Sequence, residues 1–527
     1  MSNDKPALVT TKNGKLEGLI ENGIYVFKGI PYATQPVGNL RWMPPQPPES
    51  WGGVRPAKKY GAISPQNTML MGPPENTSNT PPPAIPGMPD FSKELQDEGC
   101  LYLNVWTPGL DDARRPVIFW IHGGAFIIGA GTEPFLENGK LVKRGDIVLV
   151  SINYRMGAFG FLNLKEITGG KIPATGNEGL LDQIAALDWV HDNIAAFGGD
   201  PDNITVAGFS AGSMSISDLL SMPLARGKFH KTINRSGSTN VVSKLDSAVS
   251  TSGRLLKVLN IKPDDVSALR ALTTEQLLDA QQKLGTMARE GEGRATAFLP
   301  VIDGDVIPDF PIVAIRKGSA KNVIVMAGNT LDELKMSTGM NPAMRNLDEN
   351  GLIKGLEQFL PEDAIPGVVK VCREALKRRG SPDTPLEIMA TISVDMMWHM
   401  PTIHLVEAQR DNGAPAYKYC FTYKSPAMGG MLGAMHGLDN PFLFDQLDAN
   451  FTGAGPEEQS LAKKVQDSCI AFVRTGDPSC ATIGKWPVYG KERMTMIFDK
   501  NTRIEADPFE AERKVWDSIN LKNTPPL

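Results

Sequence analysis

Apolar residues in this chain gather into short unbroken runs and into helical stripes. Val117-Ile118-Phe119-Trp120-Ile121 and Ile147-Val148-Leu149-Val150-Ser151-Ile152 are nearly continuous apolar stretches, the pattern of strands buried on both faces. Asn322-Val323-Ile324-Val325-Met326-Ala327 is another, and Ile204-Thr205-Val206-Ala207 is a shorter one. Between them the period changes. From Asn177 to Asn193 the apolar positions are Leu180, Leu181, Ile184, Leu187, Trp189 and Val190, spaced as one face of a helix. Strands alternating with helices predict an α/β protein with a central, mostly parallel sheet covered by helices on both faces. Ligands of such sheets bind at the carboxyl ends of strands.

Three segments interrupt the alternation. Ser64 to Asp90 carries Pro65, Pro73, Pro74, Pro81, Pro82, Pro83, Pro86 and Pro89, too many prolines for a helix interior or a central strand. The segment 64–90 reads as a surface loop, with a mobile rim over the mouth of the ligand site as its functional alternative. Thr286 to Arg294, rich in glycine and charge, reads as a plain surface loop. Residues from about 340 to 410 carry helical patterns, with Gln358-Phe359-Leu360 and Met389 to Glu407 among them. They are expected to form an insertion beside that mouth. With no internal repeat, the 527 residues predict a single domain with insertions.

Composition narrows the partners. A hydrophobic share of 41% and a charged share of 21% are those of a soluble globular protein. A net charge of -5 argues against nucleic acid or anionic membrane. No apolar run has the length that spans a bilayer. Met1-Ser2-Asn3-Asp4-Lys5-Pro6 opens no basic-then-apolar segment, so no signal peptide is read. Cys100, Cys372, Cys420, Cys469 and Cys480 show no C-x-x-C spacing; reduced, mostly buried thiols in a cytoplasmic protein are expected. Glycosylation triplets such as those at Asn76, Asn203 and Asn450 are read as chance without a secretory signal.

The loop after Ile204–Ala207 is the most informative stretch. It reads Gly208-Phe209-Ser210-Ala211-Gly212, a strand, a G-x-S-x-G turn and a helix start. Such a turn lifts a serine oxygen into the open at a strained backbone angle. Its glycines spare the bend a crowding Cβ. Acyl transfer through a serine also needs a base, a group orienting that base, and donors for the oxyanion. The strand Val117–Ile121 runs directly into His122-Gly123-Gly124, where N–H groups approach a ligand closely; Gly123 and Gly124 are expected to join the N–H of Ala211.

Among six histidines, His122 reads as a brace for the glycine loop. His191 falls inside a predicted helix, His230 follows the helix after the turn, and His399 and His404 read as structural. His436, in Gly433-Ala434-Met435-His436-Gly437 after the strand-like Ala416–Phe421, is the candidate base. Asp332 and Glu333 both follow the strand ending at Ala327. An acid there gives the chain order serine, acid, histidine, and the residues alone leave the two open.

Taken together these segments resemble the type B carboxylesterase/lipase family, which includes p-nitrobenzyl esterases, liver-type carboxylesterases and cholinesterases. Phe197-Gly198-Gly199-Asp200-Pro201 through Gly212 is similar to the family's serine signature, and Glu98-Gly99-Cys100-Leu101-Tyr102-Leu103-Asn104-Val105 to its second signature. The likeness extends from Phe27–Ala33 through Phe298–Gly304 and His436–Asp439 to Thr475–Pro478 and Trp486-Pro487, nearly the full chain. The resemblance implies an α/β-hydrolase fold, Ser210 as nucleophile, Glu333 as triad acid and His436 as base. It implies an oxyanion hole of Gly123, Gly124 and Ala211, and a supporting role for Ser236. Three departures stand out. Phe209 replaces a frequent glutamate, Leu334 replaces a usual glycine, and Cys100 has no earlier cysteine to bridge to.

The expected activity is hydrolysis of apolar, uncharged esters with short to medium acyl or aryl groups through an acyl-enzyme. No metal or organic cofactor is needed, and the protein is expected as a monomer or weak homo-oligomer. The alternatives are a specialised ester, carbamate or amide hydrolase with the same triad, or a cholinesterase-like interaction protein without catalysis.

Overall fold

The computed structural model describes residues 7–67, 90–137, 139–237, 239, 241–289, 298–340, 344 and 346–519. Most of the proline-rich segment, residues 68–89, and residues 290–294 of the glycine-rich one lie outside the described residues. The described chain forms two compact units. The first takes residues 7–67, 90–232 and 241–314, and the second 233–239 and 315–519.

In the first unit the apolar run at 117–121 lies in the strand Arg115–Ile121, buried at every position. It pairs in parallel with Val148–Ile152 and with Gly199–Phe209. Beyond Val148–Ile152 the pairing is antiparallel, through Tyr102–Thr107 and Ile24–Pro31 to Leu19–Glu21. The last two strands are joined by Asn22 and Gly23, both at positive φ (53° and 78°). That two-residue turn closes a hairpin, which can only be antiparallel.

The stripe at 177–193 forms the helix Glu178–Asn193. Its buried face also carries Asp182, which accepts two hydrogen bonds from the Arg155 guanidinium, at 2.8 and 2.7 Å, and one from the Arg155 N–H at 3.1 Å. Both side chains are almost wholly buried. In such a setting each charge depends on the other, because either alone would face the full desolvation cost.

The second unit pairs Ile324–Thr330 in parallel with Ala416–Phe421, and that strand in parallel with Met494–Phe498. Arg503–Ala506 closes this edge antiparallel. Between the first two strands the chain is helical: Lys335–Met340, Glu349–Leu356, Ile365–Arg378, Pro385–Val394 and Met400–Asp411. Asp348 and Thr384 cap two of these helices by accepting from Gly351 N–H and Glu387 N–H, which satisfies donors the first turn leaves free. Leu352, Leu356, Val368, Cys372, Leu376 and Ile388 meet in one buried cluster. Each large side chain buried there contributes roughly 1.5–3 kcal/mol. A single π turn, Asp395–His399, precedes Met400–Asp411. Among the described residues no helix is long and apolar enough to cross a membrane.

Candidate active site

Ser210, Ala211 and the glycine loop belong to the first unit, and Glu333, His436 and Ser236 to the second. In the first, the strand Gly199–Phe209 passes straight into the helix Ala211–Ser221, with Ser210 at the junction. The abruptness of that change puts Ser210 at φ 55°, ψ -122°, a strained conformation for a residue with a side chain, costing about 1–3 kcal/mol. Gly208 and Gly212 make the bend possible. A Cβ on Gly208 would lie 2.7 Å from the Gly212 carbonyl carbon, and one on Gly212 would strike the Ile121 carbonyl oxygen. Ser210 itself stays half-buried while Ala211 is fully buried.

The same crowding ties the turn to the loop after Arg115–Ile121. A Cβ on Gly123 would sit 2.9 Å from the Phe209 carbonyl oxygen and 3.0 Å from the Ser210 Cβ. Gly124 is at φ 113°, with Ala125 and Phe126 also at positive φ (53° and 64°). The Gly124 carbonyl accepts from Ile127 N–H and Ile128 N–H, both at 3.0 Å. Among the described residues, no acceptor is found for the N–H groups of Gly123, Gly124 and Ala211. Ala211 N–H also opens a helix, where the dipole favours negative charge. Unpaired amides next to a partly exposed serine are what stabilisation of a developing oxyanion requires.

His122 is buried under this loop. Its Nδ1–H donates to the Gly123 carbonyl at 2.8 Å, and its ring stacks on Tyr154 with centroids 4.5 Å apart. Burial pushes its pKa down to about 4, so the ring is neutral at ordinary pH. It braces the glycine loop, as expected.

In the second unit, Nδ1 of His436 hydrogen-bonds Oε2 of Glu333. Glu333 is buried, and its other oxygen accepts from Thr330 N–H at 2.7 Å. With Nδ1–H given to a carboxylate, Nε2 becomes the basic nitrogen. The His436 side chain keeps 26% exposure, and its ring centroid lies 5.8 Å from that of Trp398. The two neighbouring acids thus divide. Glu333 meets the imidazole, and Asp332 accepts from Ala434 N–H at 2.8 Å.

Three residues after His436, Asp439 pairs with Arg235 at 2.7 Å, both buried. Asp439 also accepts from the Tyr419 hydroxyl at 3.2 Å. Burial pushes the Asp439 carboxyl up, with Arg235 opposing. Ser236, at φ 49°, is buried and donates its N–H to the Gly328 carbonyl at 2.8 Å. Its hydroxyl has no hydrogen-bond partner among the described residues.

The remaining histidines have structural surroundings. Nε2 of His191 bonds the Lys228 carbonyl at 2.8 Å, and His230 accepts from Ile204 N–H at 3.2 Å. His399 packs edge-on against Phe509 at 4.0 Å, and His404 is buried. All five cysteines are free thiols, and Cys100 is buried.

Four roles carry no mark in the sequence: Asp332 as a loop anchor, Arg235–Asp439 as a buried pair, Tyr154 stacked on His122 and Trp398 beside His436. Asp332 was one of the two candidate acids in the sequence, and Asp439 lies three positions after His436.

The family model described as the carboxylesterase family matches residues 5–516. The para-nitrobenzyl esterase of Bacillus subtilis (strain 168) is 37% identical over 96% of this chain and 97% of its own length. Liver carboxylesterase 1 of Oryctolagus cuniculus is 31% identical over 98% of this chain and 94% of its own. The carboxylesterase EST55 of Geobacillus stearothermophilus superposes with a TM-score of 0.83 at 36% identity, covering 97% of this chain and 100% of that one.

Proposed function

Because the chain belongs to the carboxylesterase family, with its α/β-hydrolase fold and its carboxylic-ester hydrolase activity, we propose that it works through an acyl-enzyme formed on Ser210. His436 takes the Ser210 proton on Nε2 as the oxygen attacks the ester carbonyl. The tetrahedral oxyanion accepts from the N–H groups of Gly123, Gly124 and Ala211. His436 then returns the proton to the departing alkoxide or phenoxide, and water releases the acid by the same steps. Glu333 holds the imidazole tautomer and offsets its positive charge. Ser236 has a supporting role beneath the acid, through its bond to the strand that carries it.

The observation that carries this reading is the pair of arrangements built on strand ends. One is a strained, half-buried serine with unpaired amides beside it, and the other is a histidine held on a buried glutamate. Substrates are small apolar, uncharged esters with short to medium acyl or aryl groups, and the free, mostly buried thiols support a cytoplasmic setting. A panel of matched esters, amides and carbamates, run on wild type and Ser210→Ala, tests it. Ester turnover that disappears in the variant is expected. Undiminished turnover would refute the assignment of the nucleophile, and preference for amide or carbamate would refute the substrate class.

A further inference from the structure

Two acids in succession follow the strand Ile324–Thr330, and only Glu333 reaches the imidazole. The other has its own geometry. Asp332 N–H donates to the Ala434 carbonyl at 3.0 Å, and Ala434 N–H donates back to Oδ2 of Asp332 at 2.8 Å. The two bonds close a ring on one residue of the loop, two positions before His436. The Asp332 side chain also lies against Gly433, which is at φ 58°. A Cβ there would strike Oδ2 and come within 2.9 Å of the Asp332 Cγ. The carboxylate therefore occupies the space that a side chain at position 433 would need. Gly433 N–H in turn donates to the Gly430 carbonyl at 3.1 Å, and its own carbonyl accepts from Ser425 N–H at 2.9 Å.

We propose that Asp332 is a positioning residue for the ester hydrolysis, clamping the backbone that carries His436 while Glu333 clamps its ring. One dipeptide then fixes both the root and the tip of the same side chain. With the ring held only by Glu333, the imidazole could still pivot about that bond, moving Nε2 along an arc. With the backbone fixed as well, Nε2 points in one direction. Asp332 touches neither substrate nor reacting atoms and acts through His436. Lys335 lies on the same side of the loop, its Cδ 2.9 Å from where a Cβ on Gly433 would stand. It follows the acids by two positions, so the segment 332–335 packs on the histidine loop as a unit.

The inference rests on His436 being the base, and the two are tested separately. His436→Ala tests the base. Asp332→Ala and Asp332→Asn test the clamp, with kcat counted per active site titrated by an acyl burst. Asp332→Ala is expected to lower kcat by about 10- to 100-fold, because misplacing a reacting group by about an ångström costs that much. KM should move little, since the clamp acts on the base and not on bound ester. Asparagine keeps an oxygen that accepts from Ala434 N–H, so Asp332→Asn should recover most of the loss. A kcat for Asp332→Ala within about twofold of wild type, where misplacement should cost far more, would overturn the proposal. So would an asparagine variant as slow as the alanine one, because charge rather than placement would then be responsible. If His436→Ala were fully active, the reading of the base would fail instead, whatever the Asp332 variants did.

Discussion

Gly123→Ala adds a single methyl group where the glycine loop meets the serine turn. The new Cβ would stand 2.9 Å from the Phe209 carbonyl oxygen, 3.0 Å from the Ser210 Cβ and 3.1 Å from the Phe209 Cδ1, whereas ordinary contact begins at 3.4 Å. Two of these neighbours are the backbone and Cβ of the turn itself, which cannot rotate away. The loop must therefore retreat by roughly 0.5 Å, the tolerance within which a catalytic group has to be held. Gly123 has no positive φ, so alanine brings no backbone strain of its own and the variant should fold. Gly124, at φ 113° with the Ile128 carbonyl in the way, would confuse the result with unfolding. Losing one oxyanion donor costs about 10²–10³ in kcat, or roughly 3–4 kcal/mol. Because that bond strengthens only as charge develops, KM should stay nearly unchanged. Initial rates with a p-nitrophenyl ester of a short acid, with thermal melts alongside, measure both. A folded Gly123→Ala protein with kcat within about threefold of wild type, where a lost donor should cost far more, would refute the placement of an oxyanion donor at this glycine.

Other substitutions separate chemistry from stability. Glu333→Gln should lower kcat by about 10⁴-fold through the wrong imidazole tautomer, with KM little changed; steady-state kinetics showing less than a tenfold loss would remove Glu333 from its role. Asp182→Ala strands Arg155 in the interior and should cost about 3–5 kcal/mol in urea unfolding, and a midpoint equal to wild type would contradict the buried pair. Glu133, buried with Trp120 Nε1–H donating to it at 3.0 Å, has its pKa pushed by burial from 4.5 to about 8. A raised carboxyl favours the folded state below its ordinary pKa, and that contribution is lost as pH rises through 8. Glu133→Gln should therefore raise Tm relative to wild type more at pH 8.5 than at pH 5.5, and an equal difference at both would contradict the buried, protonated acid.

Strands buried on both faces announced themselves, because nothing polar interrupts 117–121 and Ser151 alone interrupts 147–152. The antiparallel edge was harder to read. Its hairpin signal, Asn22-Gly23, was present, but Leu19–Glu21 is only three residues long and half exposed. The strand before Ser210 begins at Gly199, which pairs with Arg115, and a register shift with the polar residues 200–203 separates it from the apolar run at 204–207. The π turn at 395–399 leaves no mark in apolar spacing. Adjacent acids at 332 and 333 look alike along the chain. Only side-chain direction separates them: Glu333 turns back to accept from Thr330 N–H, three residues earlier, while Asp332 accepts from Ala434 N–H, a distant contact that no local pattern encodes. The Arg155–Asp182 and Arg235–Asp439 pairs are long-range contacts of the same kind.

Covalent trapping is the most direct test of the mechanism. The protein would be treated with a fluorophosphonate, digested, and the modified peptide sequenced by mass spectrometry. A single adduct on Ser210, absent from Ser210→Ala and formed much more slowly in His436→Ala, is the predicted result. Modification of a different residue, or loss of ester turnover with no adduct at all, would contradict an acyl-enzyme at this serine.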